Sequence, residues 1–275
     1  MTTVDSVIAA PGNAVARGLV SMTGREARRL AGHPMLWLVP AVPLRSVVAA
    51  ATGADAVNAG WTAGYWYNII FSVVAFLGPM IVLFAANLVA TAARRSRAEE
   101  MLAVAPTTDT RRTLAMCLGI TLVLGGSGAV GATIMALIDR KVGNIPPEDL
   151  LTSAELAQIP FILAGAGLLG VLAGRWLHFA GGALTTFVAF VLGAVTLFSR
   201  IDTGTWWMWW STSTTLGDRP SVAGDPWLHA AYLAGLCACA TVAAVYRDRT
   251  QWTRLALVGV PVLAVTLALG WLQLP

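Results

Sequence analysis

Few side chains in this 275-residue sequence could carry covalent or metal chemistry, and their spacing works against it. A phosphate-cradling P-loop needs Gly-Lys followed by Ser or Thr. The single lysine, Lys141, follows Arg140 and precedes Val142. The three histidines, His33, His178 and His229, are too scattered for a His-Glu-x-x-His zinc site. Cys117, Cys237 and Cys239 fall inside apolar runs, which argues against a disulfide framework or a metal cluster. The run Gly125-Gly126-Ser127-Gly128-Ala129 misses the Gly-x-Ser-x-Gly of a serine hydrolase at its last residue. No histidine stands in an apolar run with a carboxylate to orient it toward that serine. The chain is expected to be no enzyme and to bind no cofactor or metal of its own.

Ion-coupled transport needs Asp, Glu or His within the membrane. The apolar runs hold no acid except Asp139 and Glu155 at their edges. Arg45 is the one clear charge inside a run, beside Pro40 and Pro43. It can snorkel, pair with backbone carbonyls freed by the prolines, or meet a lipid phosphate or anionic substrate. Asn68 and Asn87, polar within the second run, join Arg45 as candidate contacts for substrate or lipid.

The elements that must position these residues are membrane helices. Hydrophobic residues make up 57% of the chain and charged ones 12%, with a mean hydropathy of +0.70. Soluble domains carry roughly 25% charged residues. Seven apolar runs can be drawn: Met35–Ala51, Tyr67–Thr91, Leu114–Ile138, Leu156–Ala173, about 179–198, Leu228–Tyr246 and Leu255–Leu274. A bilayer crossing takes about 20 residues. The expected fold is all-α, a polytopic integral membrane protein of six to seven transmembrane helices. Residues 1–34 form a cytoplasmic N-terminus and interfacial helix, and 35–275 the transmembrane domain. The first 20 residues lack the charged start and unbroken apolar core of a cleavable signal peptide, so insertion through the chain's own helices is expected.

Charge sets the expected orientation. Thirteen basic residues fall in the N-terminus and the loops on its side, and only Arg140, Lys141, Arg200 and Arg219 in the opposite loops. The richer side is expected to face the cytoplasm of a cell membrane, placing the N-terminus inside. Grouping of arginines beside apolar runs also explains the pI of about 9.3 without nucleic acid. Trp37, Trp176 and Trp252 mark inner edges, and Trp61, Trp66, Trp227 and Trp271 outer ones, as indoles prefer headgroup depth. Trp206, Trp207, Trp209 and Trp210 are denser than anchoring requires, and suit an interfacial or re-entrant helix in an outer loop at about 200–227. Gly170 and Gly174 have the small-xxx-small spacing of closely packed spans.

Two cytoplasmic segments stand out. In the first, Leu19, Val20, Met22, Ala27, Leu30 and Ala31 form an apolar stripe beside Arg25, Glu26, Arg28 and Arg29, before His33 and Pro34. Such a helix lies in the interface with its arginines toward headgroups. The second, at about 94–112, has arginines at both ends. Its centre, Arg97-Ala98-Glu99-Glu100-Met101-Leu102-Ala103-Val104-Ala105-Pro106, is an apolar knob between charged flanks, suited to a partner's groove.

With these residues the sequence resembles the permease subunits of type-2 ABC transporters, the ABC-2 exporter family. Glu26-Ala27-Arg28-Arg29-Leu30-Ala31-Gly32-His33-Pro34 is similar to the family's amphipathic elbow helix, Arg97–Pro106 to its coupling helix, and Arg200–Trp227 to its outer re-entrant loop. The chain departs from the pattern in having Ala98-Glu99 where Gly-Thr is frequent, and in a seventh apolar run. The resemblance implies an exporter of an amphiphilic drug, lipid, natural product or peptide. It implies a separate ABC ATPase subunit that binds ATP and Mg, and a second permease subunit, identical or related, all among membrane lipids. The residues leave two other functions open: a membrane scaffold without a path of its own, and an intramembrane enzyme.

Overall fold

The computed structural model describes residues 11–40, 77–96, 107–141, 152–177, 179, 181–198 and 225–273. Every regular element among them is helical: α1 (Pro11–Ala31), a 3-10 turn (Pro34–Trp37), α2 (Gly78–Ala90), α3 (Ala92–Arg95) and α4 (Asp109–Ile120). A π turn (Thr121–Gly125) joins α4 to α5 (Gly126–Lys141), followed by α6 (Ser153–Leu156), α7 (Ile159–Trp176) and α8 (Gly182–Phe198). A second 3-10 turn, Arg249–Gln251, separates α9 (Pro226–Val245) from α10 (Trp252–Trp271). Four stretches are long and apolar enough to cross a membrane: Asp109–Leu137, Ser153–Trp176, Pro226–Val245 and Trp252–Trp271. Gly78–Ala90 and Gly182–Gly193 are apolar but shorter. Trp252 and Trp271 bound α10, separated by about 28 Å at 1.5 Å per residue, which matches a hydrocarbon core of about 30 Å.

Local chemistry starts these helices. Thr108 caps α4 by accepting from Arg111 N–H. Thr152 and Glu155 form a capping box, satisfying two backbone N–H groups that no carbonyl can reach. Glu155 is 1% exposed, but Thr152 donates to it from both N–H and hydroxyl. Asp225 accepts from Trp227 N–H, and Pro226 supplies a preset φ in the first turn of α9.

At the centre lies α7, packed against α2, α9, α5 and the π turn. Its Leu163, Leu168 and Val171 share a core with Val82, Val89, Cys117, Ile120, Leu124 and Ala244. Gly170 and Gly174 do bring backbones together: a Cβ on Gly170 would overlap the Leu83 carbonyl, and one on Gly174 would meet Thr91 and Asn87. The Asn87 amide fills the seam, donating to Gly170 O at 3.1 Å. In the third apolar run Gly128 is confined against the Pro160 backbone and Gly119 against α1, while Gly126 and Gly131 face open space.

The α1 stripe is divided between the protein contact and the outer surface. Its buried positions are Thr23 and Leu30, whereas Val20 is 71% exposed and Ala31 is exposed. The cause is Gly119 of α4, where a Cβ would press on the backbone of Thr23 and Ala27. That close approach turns Thr23 inward and leaves Val20 outside.

Candidate functional site

The site begins at the two roots of the 97–106 segment, where α3 ends and α4 starts. Helix α7 terminates nearby, and its last carbonyls have no partner within the helix. Arg94 serves two of them: Nη2 donates to Gly174 O at 3.2 Å and Nη1 to Leu177 O at 3.5 Å. Arg247, just past α9, donates from Nη1 to Arg175 O at 2.8 Å. Two cations thus meet the negative end of the α7 dipole.

Asp109, in the first turn of α4, closes the arrangement from the other root. Its carboxylate accepts from Arg175 Nη1 at 3.0 Å and from Arg247 Nη2 at 3.5 Å. An acid is also favoured there by the positive end of its own helix. Gln251 donates to Thr110 at 3.1 Å, and Trp176 Nε1 to Ala243 O at 2.9 Å. Arg94 and Asp109 therefore fasten both roots of the segment to residues 174–177 of α7. We term this network the clasp. It joins the ends of α3, α4, α7 and α9 through hydrogen bonds and ion pairs.

The clasp's charges differ in exposure, which sets their weight. The Arg175 side chain is 13% exposed and the Asp109 side chain 55%. A half-solvated pair contributes about 1 kcal/mol or less. Asp109→Ala is expected to lower the thermal unfolding midpoint of the purified chain modestly, by a loss that shrinks as salt screens the wild-type pairs. A loss unchanged between low and high salt would exclude the ion pairs as its cause.

The candidate residues of α1 lie on the helix that meets α4 at Gly119. Arg25, Arg28 and Arg29 are exposed, and Glu26 Oε2 stands 3.9 Å from Arg29 Nη1. His33 is extended, as a residue before proline must be, and Pro34 opens the 3-10 turn. Asn87, a candidate substrate or lipid contact by its polarity, is buried and donates to the Gly170 carbonyl. Arg45, Asn68, Arg97, Glu99, Glu100, Met101, Leu102, Pro106, Trp206, Trp207, Trp209 and Trp210 lie outside the described residues.

A second polar junction occupies the opposite end of α7 and α9. Gln158 Nε2 donates to Pro226 O at 3.3 Å. His229, 0% exposed, meets Gln273 Oε1 through Nδ1 at 2.7 Å. Gln273 Nε2 already donates to Leu269 O, so Oε1 must be the acceptor and Nδ1 carries the hydrogen. Gln273→Leu would strand that buried N–H at a cost of about 1–3 kcal/mol. The double variant with His229→Phe is expected to lose less than the sum of the single changes, read from unfolding midpoints. Strict additivity would exclude the bond as the cause.

Sequence reasoning counted Arg175 and Arg247 only as orientation charges and Arg94 also as a flank of the 94–112 segment, and assigned no role to Asp109 or Gln273. The available signal was Thr108-Asp109 at the start of an apolar helix, a capping pattern. Among the described residues no group of three or more His, Cys, Asp or Glu could hold a metal ion. No family model, curated protein or solved structure matches this chain.

Proposed function

We propose that the chain is the membrane-spanning permease subunit of an ATP-driven ABC-2 exporter. In this reading it has six to seven spans and its N-terminus lies in the cytoplasm. A separate ATPase subunit, holding ATP and Mg, docks on residues 97–106. Two permease subunits flank an apolar path for an amphiphilic drug, lipid, natural product or peptide. The observation that carries the reading is the clasp: both roots of the segment are tied to the end of α7. A push on the segment would reach the helix that packs against α2, α5, α8 and α9. A free loop would dissipate it.

Copurification tests the reading. The tagged chain should carry an ATPase chain with it from its native membrane, and ATP turnover should stay with that chain when the two are separated. Turnover by the isolated permease would overturn the assignment. Orientation has its own check. Ser96→Cys should resist a membrane-impermeant thiol reagent in intact cells, and Thr62→Cys should react, because the arginine-rich side faces inward. Labelling at position 96 would invert the topology.

One observation favours the scaffold alternative. The buried amides Asn87, Gln158 and Gln273 all serve junctions between or within helices. A scaffold needs such junctions and no path. ATP-dependent efflux of an amphiphilic dye by the complex in vesicles separates the two, since a scaffold would support none.

A further inference from the structure

The arginines of the clasp and of α1 are of two kinds. Arg94, Arg175 and Arg247 turn inward, to helix carbonyls and Asp109. Arg25, Arg28 and Arg29 of α1 turn outward. Thr23 and Leu30 define the docked face of α1, and at 100° per residue Arg25 and Arg28 fall nearly opposite, with Arg29 at their edge. All three are exposed; Arg25 and Arg28 have no ion pair among the described residues, and Arg29 has only the long contact to Glu26.

The surroundings are apolar and face outward. Val20 lies on the flank of α1, about two turns before Arg28, and is exposed. α1 lands on α4 at Gly119, beside the exposed Leu118 and Leu122 of a helix long enough to cross a bilayer. The exposed indole of Trp37 follows one short turn after α1, and tryptophan favours headgroup depth. Cations beside an apolar flank, on a helix pressed against a lipid-length span, match the boundary between phosphates and acyl chains. A soluble polyanion would find the same charges, but the exposed leucines would have no partner.

We propose that the outward face of α1, through Arg25, Arg28 and Arg29, is a seat for the phosphate of anionic phospholipids. The seat makes the stability of the α1–α4 contact depend on lipid charge. It rests on α1 lying at a membrane boundary and is independent of the exporter reading.

The test places the full chain in nanodiscs of phosphatidylcholine alone or of phosphatidylcholine with phosphatidylglycerol, and follows thermal unfolding. Phosphatidylglycerol should raise the midpoint, with a gain that shrinks as salt rises. The triple variant Arg25→Gln, Arg28→Gln, Arg29→Gln should lose that gain, and its apparent affinity for phosphatidylglycerol should fall by about a hundredfold, taking three cations at a charged surface. The corresponding triple lysine variant should keep most of the gain. Arg247→Gln, in the clasp, should lower the midpoint equally in both lipids. A full gain in the triple Gln variant would overturn the proposal. So would an equal gain from inorganic phosphate added to phosphatidylcholine discs, which would mark a site for free anions. Should the triple variant fail to fold, native mass spectrometry of Arg28→Gln decides. Fewer retained phosphatidylglycerol molecules support the seat, and an unchanged number excludes it.

Discussion

Replacing Met101 and Leu102 together by Asp is expected to lower binding of the ATPase partner by two or more powers of ten. The segment's apolar residues stand between Arg97-Ala98-Glu99-Glu100 and Pro106, so its contact with a groove would be desolvated at the centre and charged at the rim. A carboxylate forced into that centre has no cation to meet, and burying it unpaired costs several kcal/mol. Each 1.4 kcal/mol is tenfold in affinity. Glu99→Ala with Glu100→Ala should act mildly, since a solvated rim charge contributes about 0–1 kcal/mol. The measurement is a pull-down of the ATPase, with yield and monodispersity of each variant followed in parallel. The clasp residues are untouched, so the helices should remain folded. A well-folded double Asp variant that retains its ATPase would reduce the segment to a solvated loop and remove the main support for the permease reading.

The largest expected effect on folding is at Gly170. A Cβ there would overlap the Leu83 carbonyl and press on Ala86 Cβ and Asn87 N, atoms that no rotamer change can move. α2 and α7 must then separate, loosening the shared core and pulling Asn87 from the Gly170 carbonyl. Overpacking of this kind costs about 1–3 kcal/mol, with the lost hydrogen bond in addition. Gly126→Ala is the control, because its Cβ meets open space. There the better helix propensity of alanine should leave stability equal or raise it by up to about 1 kcal/mol. Thermal unfolding of both variants in one detergent should therefore show opposite signs. Equal midpoints would mean that α2 and α7 are not in contact at Gly170.

Features governed by local backbone chemistry were legible in the sequence. The apolar runs Leu228–Tyr246 and Leu255–Leu274 lie within about three residues of α9 (Pro226–Val245) and α10 (Trp252–Trp271) at each end. Gly170 and Gly174 announced a close helix contact through their spacing alone, because only a missing side chain permits it. The absence of a P-loop lysine or a zinc pattern needed no coordinates either, since those chemistries require residue types at fixed separations. Composition likewise limited the fold to membrane-length helices.

Tertiary structure decided which side of each helix meets which neighbour. A span that is apolar all round has no amphipathic signal to say which face turns inward. α1 shows the consequence: hydropathy drew a stripe containing both Val20 and Leu30, and the packing against Gly119 of a different helix buries Leu30 with the polar Thr23 and leaves Val20 exposed. The clasp was equally hidden. Asp109 meets Arg175 across 66 positions and Arg247 across 138, and His229 meets Gln273 across 44. Charge counting could assign those arginines to one membrane side, because that depends on the summed charge of a loop. Which helix end each guanidinium reaches depends on side-by-side packing over many residues, and only the folded chain determines that.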